Sequence, residues 1–149
     1  MASILWSILG VLAGAFIAIQ APINAELSRG LGQPTAAAAS SFFVGAMVLT
    51  AISLTVTQIN GTSINWRIPA PWMFFVGGCL GAAYVTSAIL LVPRLGAAAT
   101  MAFVVAGQLL AGLLIDKIGF LGVAVRELSL GRISGAILLL VGALLIRLT

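Results

Sequence analysis

Residues 95 to 115 read Leu95-Gly-Ala-Ala-Ala-Thr-Met-Ala-Phe-Val-Val-Ala-Gly-Gln108-Leu-Leu-Ala-Gly-Leu-Leu-Ile115, and the run stops at Asp116-Lys117. About 20 apolar residues carry a helix across the hydrocarbon layer of a bilayer, so this stretch reads as a membrane span. Its interior holds one amide, Gln108. A side chain with two donors and an acceptor is expensive in hydrocarbon, which predicts that Gln108 points at another helix or a water-filled cavity rather than at lipid. Gly107 and Gly112 flank it and remove bulk, so a neighbouring backbone or a solute can come close. The stretch reads as one wall of a translocation site.

The same pattern recurs along the chain. Apolar segments long enough to span lie at 3–23, 35–57, 70–92, 95–115 and 129–148. The 149 residues are 62% hydrophobic and 7% charged, more apolar surface than a soluble domain of this size can bury. The expected fold is all-α: a polytopic membrane protein, one transmembrane domain over residues 1–149 built as a five-helix bundle. The first apolar run has no basic segment before it and outlasts a signal-peptide core, so it is read as a retained span.

This composition leaves little room for an enzyme. Histidine is absent, Cys79 lies in an apolar run with no base beside it, and the three acids are separated and peripheral. No catalytic set, metal set or cofactor site can be drawn from them. The net charge of +4 comes from seven scattered basic residues that form no cluster, so they are read as topology anchors and headgroup contacts rather than a nucleic-acid surface.

The polar residues inside the spans are few. Gln20 and Asn24 are four apart and share a helix face, with Pro22 between them freeing a backbone carbonyl. They either meet a solute or bond to that loosened backbone. The chain is expected to turn over Ser28 to Pro34. Tyr84 and Ser87 form a polar edge on the third span, where the Tyr84 hydroxyl either contacts a solute or donates to a carbonyl across a helix contact. Ser40 and Ser41 are expected to bond back to carbonyls four residues earlier. Glu26 and Asp116 are the acids nearest the spans and the candidates for an ion or proton contact, although Glu26 is better placed to pair with Arg29. Pro93-Arg-Leu-Gly96 reads as a tight turn, and Arg132 and Arg147 as snorkelling residues of the fifth span.

Five spans put the ends of the chain on opposite sides. One side then holds Arg67, Lys117, Arg126 and Arg132, and the other Arg29, Arg94 and Arg147, four against three. Orientation follows the Lys and Arg bias of short loops, so insertion in both directions is open to this chain. Two oppositely oriented copies would form an antiparallel dimer with the inverted symmetry that alternating access uses.

The chain resembles the YdcZ-like small family of the drug/metabolite transporter superfamily. The likeness lies in Gln20 to Asn24 with Leu27 and Gly32, Gly77-Gly-Cys-Leu-Gly-Ala-Ala-Tyr84-Val, Pro93-Arg-Leu-Gly96, and Gly107-Gln108-Leu with Leu114-Ile-Asp116-x-x-Gly119. The family pattern often has a histidine after that aspartate; here Lys117 stands there. The resemblance implies a helical half-transporter of the prokaryotic inner membrane. The glutamate in mid-helix 1 that marks small multidrug exporters is missing, since residues 13 to 17 are Ala-Gly-Ala-Phe-Ile. The expected function is transport or export of a small, neutral or amphipathic solute along Gln20, Asn24, Tyr84, Ser87 and Gln108, by a homodimer or a heterodimer with a related five-span chain. A non-transporting membrane subunit and a lipid flippase are the alternatives.

Overall fold

A computed structural model of the chain describes residues 2 to 148. The helices are α1 (Ala2–Leu31), α2 (Pro34–Asn60), α3 (Pro71–Leu95), α4 (Ala97–Ile118) and α5 (Leu130–Leu148), with a 3-10 turn at Phe120–Gly122 before α5. All five helices are long and apolar enough to cross a membrane. The all-helical, five-span architecture is therefore as expected, and residues 118 to 129 add no sixth span.

Two helices extend beyond the apolar spans. The first runs on past residue 23 and into the expected turn, through Pro22 to Leu31. Proline lacks an N–H and leaves one carbonyl without its helical partner, which a helix of 30 residues survives. The polar residues from Gln20 onward looked like the approach to a turn; Asn24 and Ser28 are instead buried on the inner face. Likewise α3 continues through Pro93 to Leu95, and the expected four-residue turn shrinks to Gly96 at φ 82°, a backbone angle that favours glycine.

Two compact units make up the chain, and the division falls within α3, between Leu90 and Leu91. In the first unit α1 packs along α2. Ala21, Asn24, Ala25 and Ser28 supply the buried stripe of α1 at helical spacing. Ala37 and Ala38 of α2 pack against Val85 and Ile89 of α3, with Tyr84 alongside. Alanines hold these contacts because spans associate in lipid by close packing, not by expulsion of water. Gly81 serves the same end: a Cβ there would lie 3.0 Å from Cζ of Phe42. At the far end of α2, the Trp66 ring lies 6.3 Å from that of Phe74, an aromatic pair suited to the interface.

The second unit is built on the packing of α4 against α5. Thr100, fully buried, donates its hydroxyl to the carbonyl of Gly96 at 2.7 Å and closes the first turn of α4. Gly119 ends α4 at φ 65°, where a Cβ would meet Val125 at 2.7 Å, so this turn admits only glycine. The segment after it returns along the helix end, and the N–H of Arg126 donates to the carbonyl of Asp116 at 2.9 Å. Between α4 and α5 lies an apolar cleft of about 440 Å³, lined by Leu113, Leu114, Ile133 and Ile137 among others.

Ala37 is fully enclosed where α2 meets α3. Ala37→Leu should force the two helices apart and destabilise the protein by about 1–3 kcal/mol, the cost of overpacking a filled contact. Unfolding in mixed micelles of increasing SDS fraction reads this directly; an unchanged midpoint would show that the α2–α3 contact is slack.

Candidate functional site

The first unit gathers three of the expected site residues around one small notch. Ile17, Gln20, Ala21 and Asn24 line it from α1, and Tyr84, Val85, Ala88 and Ile89 line it from α3. The i, i+3, i+4, i+7 spacing on α1 and the consecutive turns of α3 bring these side chains onto facing stripes. Its volume is about 10 Å³, room for roughly one water molecule.

The walls of the notch are mostly apolar and its few polar groups converge. Asn24 is 4% exposed, and its Nδ2 has no hydrogen-bond acceptor; the Tyr84 hydroxyl, also enclosed, has no partner either. Gln20 has one: its Nε2 donates to Oγ of Ser41 at 3.2 Å, joining α1 to α2. Sequence reasoning missed this role of Ser41, because two serines side by side in a helix read alike. Ser40 does what was expected of both and donates back to the carbonyl of Ala36 at 3.0 Å. Ser28, buried one turn beyond Asn24, was also missed; its i+4 spacing from Asn24 was the available signal.

The remaining candidates lie elsewhere. Ser87 is exposed on α3 and does not line the notch. Gln108 belongs to the second unit, where it is exposed. It stands two residues after buried Ala106, about 200° around the helix, and so faces away from the stripe that meets α5. No hydrogen bond reaches its side chain among the described residues. Gly107 and Gly112 beside it have open space where a Cβ would be.

Both acids nearest the spans are engaged. Glu26 pairs with Arg29 one turn on, at 2.5 Å and with both side chains well exposed. Asp116 pairs with the guanidinium of Arg132, both partners partly buried. Arg132 thus turns inward instead of snorkelling, and its second nitrogen donates to the carbonyl of Glu127 at 3.4 Å. The pair ties the end of α4 to the start of α5.

Five helices, each long and apolar enough to cross a membrane, define a multi-pass membrane protein. Residues 5–145 match the family described as "Putative inner membrane exporter, YdcZ", and the chain belongs to that family. It is 44% identical over 75 residues to "Inner membrane protein YdcZ" of Escherichia coli (strain K12), an alignment covering 50% of this chain and 50% of that protein. The aligned stretch thus spans about half the length of this curated relative. No solved structure matches the chain. The family places it in the prokaryotic inner membrane as a multi-pass protein.

The unpartnered amide of Asn24 separates a binding role from a purely structural one. Removing a buried polar group that has no partner is neutral or stabilising, while removing one that holds helices together costs about 1 kcal/mol or more. Asn24→Leu is therefore expected to hold or raise the SDS-unfolding midpoint. A clear fall would make Asn24 interhelical glue.

Proposed function

We propose that the chain exports a small, neutral or amphipathic solute across the inner membrane, and that the notch between α1 and α3 receives one hydrogen-bonding group of it. The observation that carries this reading is the convergence of two enclosed, unpartnered polar groups, the Asn24 amide and the Tyr84 hydroxyl, beside Gln20. Amides and hydroxyls orient a ligand by hydrogen bonds without demanding a fixed charge. A cation would find no carboxylate there, since Glu26 is exposed and held by Arg29.

The working unit in this proposal is a dimer, of this chain or with a related five-span chain, that alternates access across the membrane. Support comes from Gln108. An exposed amide at the midpoint of Ala97–Ile118 lies at mid-depth in the bilayer, where it needs a partner. In an antiparallel pair only groups at mid-depth can meet their own copies. An amide both donates and accepts, so two Gln108 side chains satisfy each other. The near balance of basic residues, four against three, is compatible with insertion in both orientations.

Proteoliposomes loaded with matched neutral and cationic fluorescent solutes test the transport reading. Neutral solutes should leave faster than from protein-free liposomes, and Tyr84→Phe should slow them about tenfold, as loss of one well-placed hydrogen bond would. Efflux confined to cations, or equal to that of empty liposomes, would sink the proposal. For the dimer, Gln108→Leu should weaken association in detergent by about 1–2 kcal/mol, the scale of a hydrogen-bonded amide pair between spans. Association unaffected by that change would remove Gln108 from the interface.

A further inference from the structure

We infer that the cleft between α4 and α5 is a binding site for an anionic phospholipid, with one acyl chain in the cleft and the phosphate on Lys117 and Arg126. The site belongs wholly to the second unit and owes nothing to the export reading.

Two apolar stripes form the walls. Leu110, Leu113 and Leu114 line the cleft from α4, and Ile133, Ala136, Ile137 and Leu140 line it from α5. Both sets follow the i, i+3, i+4 spacing of one helix face. The cleft is not sealed, since Leu114 is 62% exposed and Ile137 54%. At about 440 Å³ it is too large for a packing defect, and no polar side chain lines it. Such walls offer water no hydrogen bond, whereas a hydrocarbon chain matches them. Ile133 and Leu140 lie about 10 Å apart along α5, within the roughly 15 Å that one leaflet contributes to the hydrocarbon layer. A single acyl chain entering from one leaflet can therefore lie along the whole cleft.

The charge at one end of the cleft selects the lipid. Lys117 stands three residues after Leu114 and four after Leu113, so it extends the α4 stripe by one turn toward the headgroups. Arg126 stands two residues before Leu128, which also lines the cleft, and its backbone N–H donates to the carbonyl of Asp116 beside Lys117. Both basic residues are exposed, and neither has an ion-pair partner among the described residues. Asp116 is already taken by Arg132, which leaves Lys117 and Arg126 against the single carboxylate of Glu127. The surplus is one positive charge. A phosphatidylglycerol headgroup carries one negative charge, on a phosphate whose oxygens accept from both long side chains. A phosphatidylcholine brings its own cation and leaves the surplus standing.

Native mass spectrometry of the full chain, released from micelles with equal amounts of dioleoyl phosphatidylglycerol and dioleoyl phosphatidylcholine, tests the site. The two lipids share their chains and differ only in headgroup. Phosphatidylglycerol should be retained over phosphatidylcholine by roughly fivefold, the effect of one uncompensated basic side chain at a membrane surface. Lys117→Gln with Arg126→Gln should abolish that preference, while Arg67→Gln with Arg147→Gln, which removes the same charge elsewhere, should keep it. Ile137→Trp, or Leu114→Trp from the facing helix, fills the cleft and should lower retention of both lipids by roughly tenfold, as losing the burial of about two methylenes would. All the substituted residues are exposed, so none is part of the packed core.

Equal retention of the two lipids, or a preference that the distant pair removes as well, overturns the headgroup contact. Retention unmoved in both tryptophan variants overturns the cleft. No retained lipid, with a dimer that Ile137→Trp breaks up, assigns the cleft to a second copy of the chain and overturns the lipid site as a whole.

Discussion

Hydrocarbon offers no hydrogen bonds, and every polar side chain placed within it must find its partner in protein, in trapped water or in a ligand. The arrangement of this chain follows from how few such side chains it has and where each one turns. Thr100 and Ser40 bond back to their own helices and join nothing. Gln20 reaches across to Ser41 and thereby ties α1 to α2. Asn24 and Tyr84 are brought together and left with bonding capacity to spare. A membrane protein that only needed to hold its helices together would gain by replacing that pair with leucine and phenylalanine. In the proposed export function, that capacity is reserved for the solute.

Alanine and glycine make this arrangement possible. Ala21, Ala25, Ala37 and Ala38 are nearly or wholly enclosed, so α1, α2 and α3 approach closely enough for a side chain as short as that of Ser41 to meet Gln20 on the next helix. Gly81 accepts the ring of Phe42 in the same way. The second unit buries small residues too, Ala99, Ala106, Ala136 and Ala143, and adds an apolar cleft between α4 and α5 and an ion pair at the helix ends.

Much of this was legible in the sequence. Hydropathy and length gave five spans, and the order of short motifs pointed to the family. The facing of Gln20 and Asn24 followed from their spacing on one helix. Other features were not local enough to read. The polar residues from Gln20 to Ser28 looked like a helix end because composition does not say whether a polar stripe faces solvent or a neighbour. Ser41 could not be told from Ser40, since its partner lies 21 residues away on another helix. For Gln108, the cost of a bare amide says that something must cover it, but not what does. Arg132 carried the pattern of a snorkelling residue, and only the return of the chain at Gly119 brings it to Asp116.

That return has a consequence for how the protein is made. Asp116 leaves the ribosome sixteen residues ahead of Arg132, so α4 reaches the membrane with an acid at its end and no counter-charge within its own helix apart from the neighbouring Lys117. The pair forms only when the first turn of α5 has followed. The last two spans therefore complete their contact as a hairpin, and α4 gains its ion pair only with the start of α5.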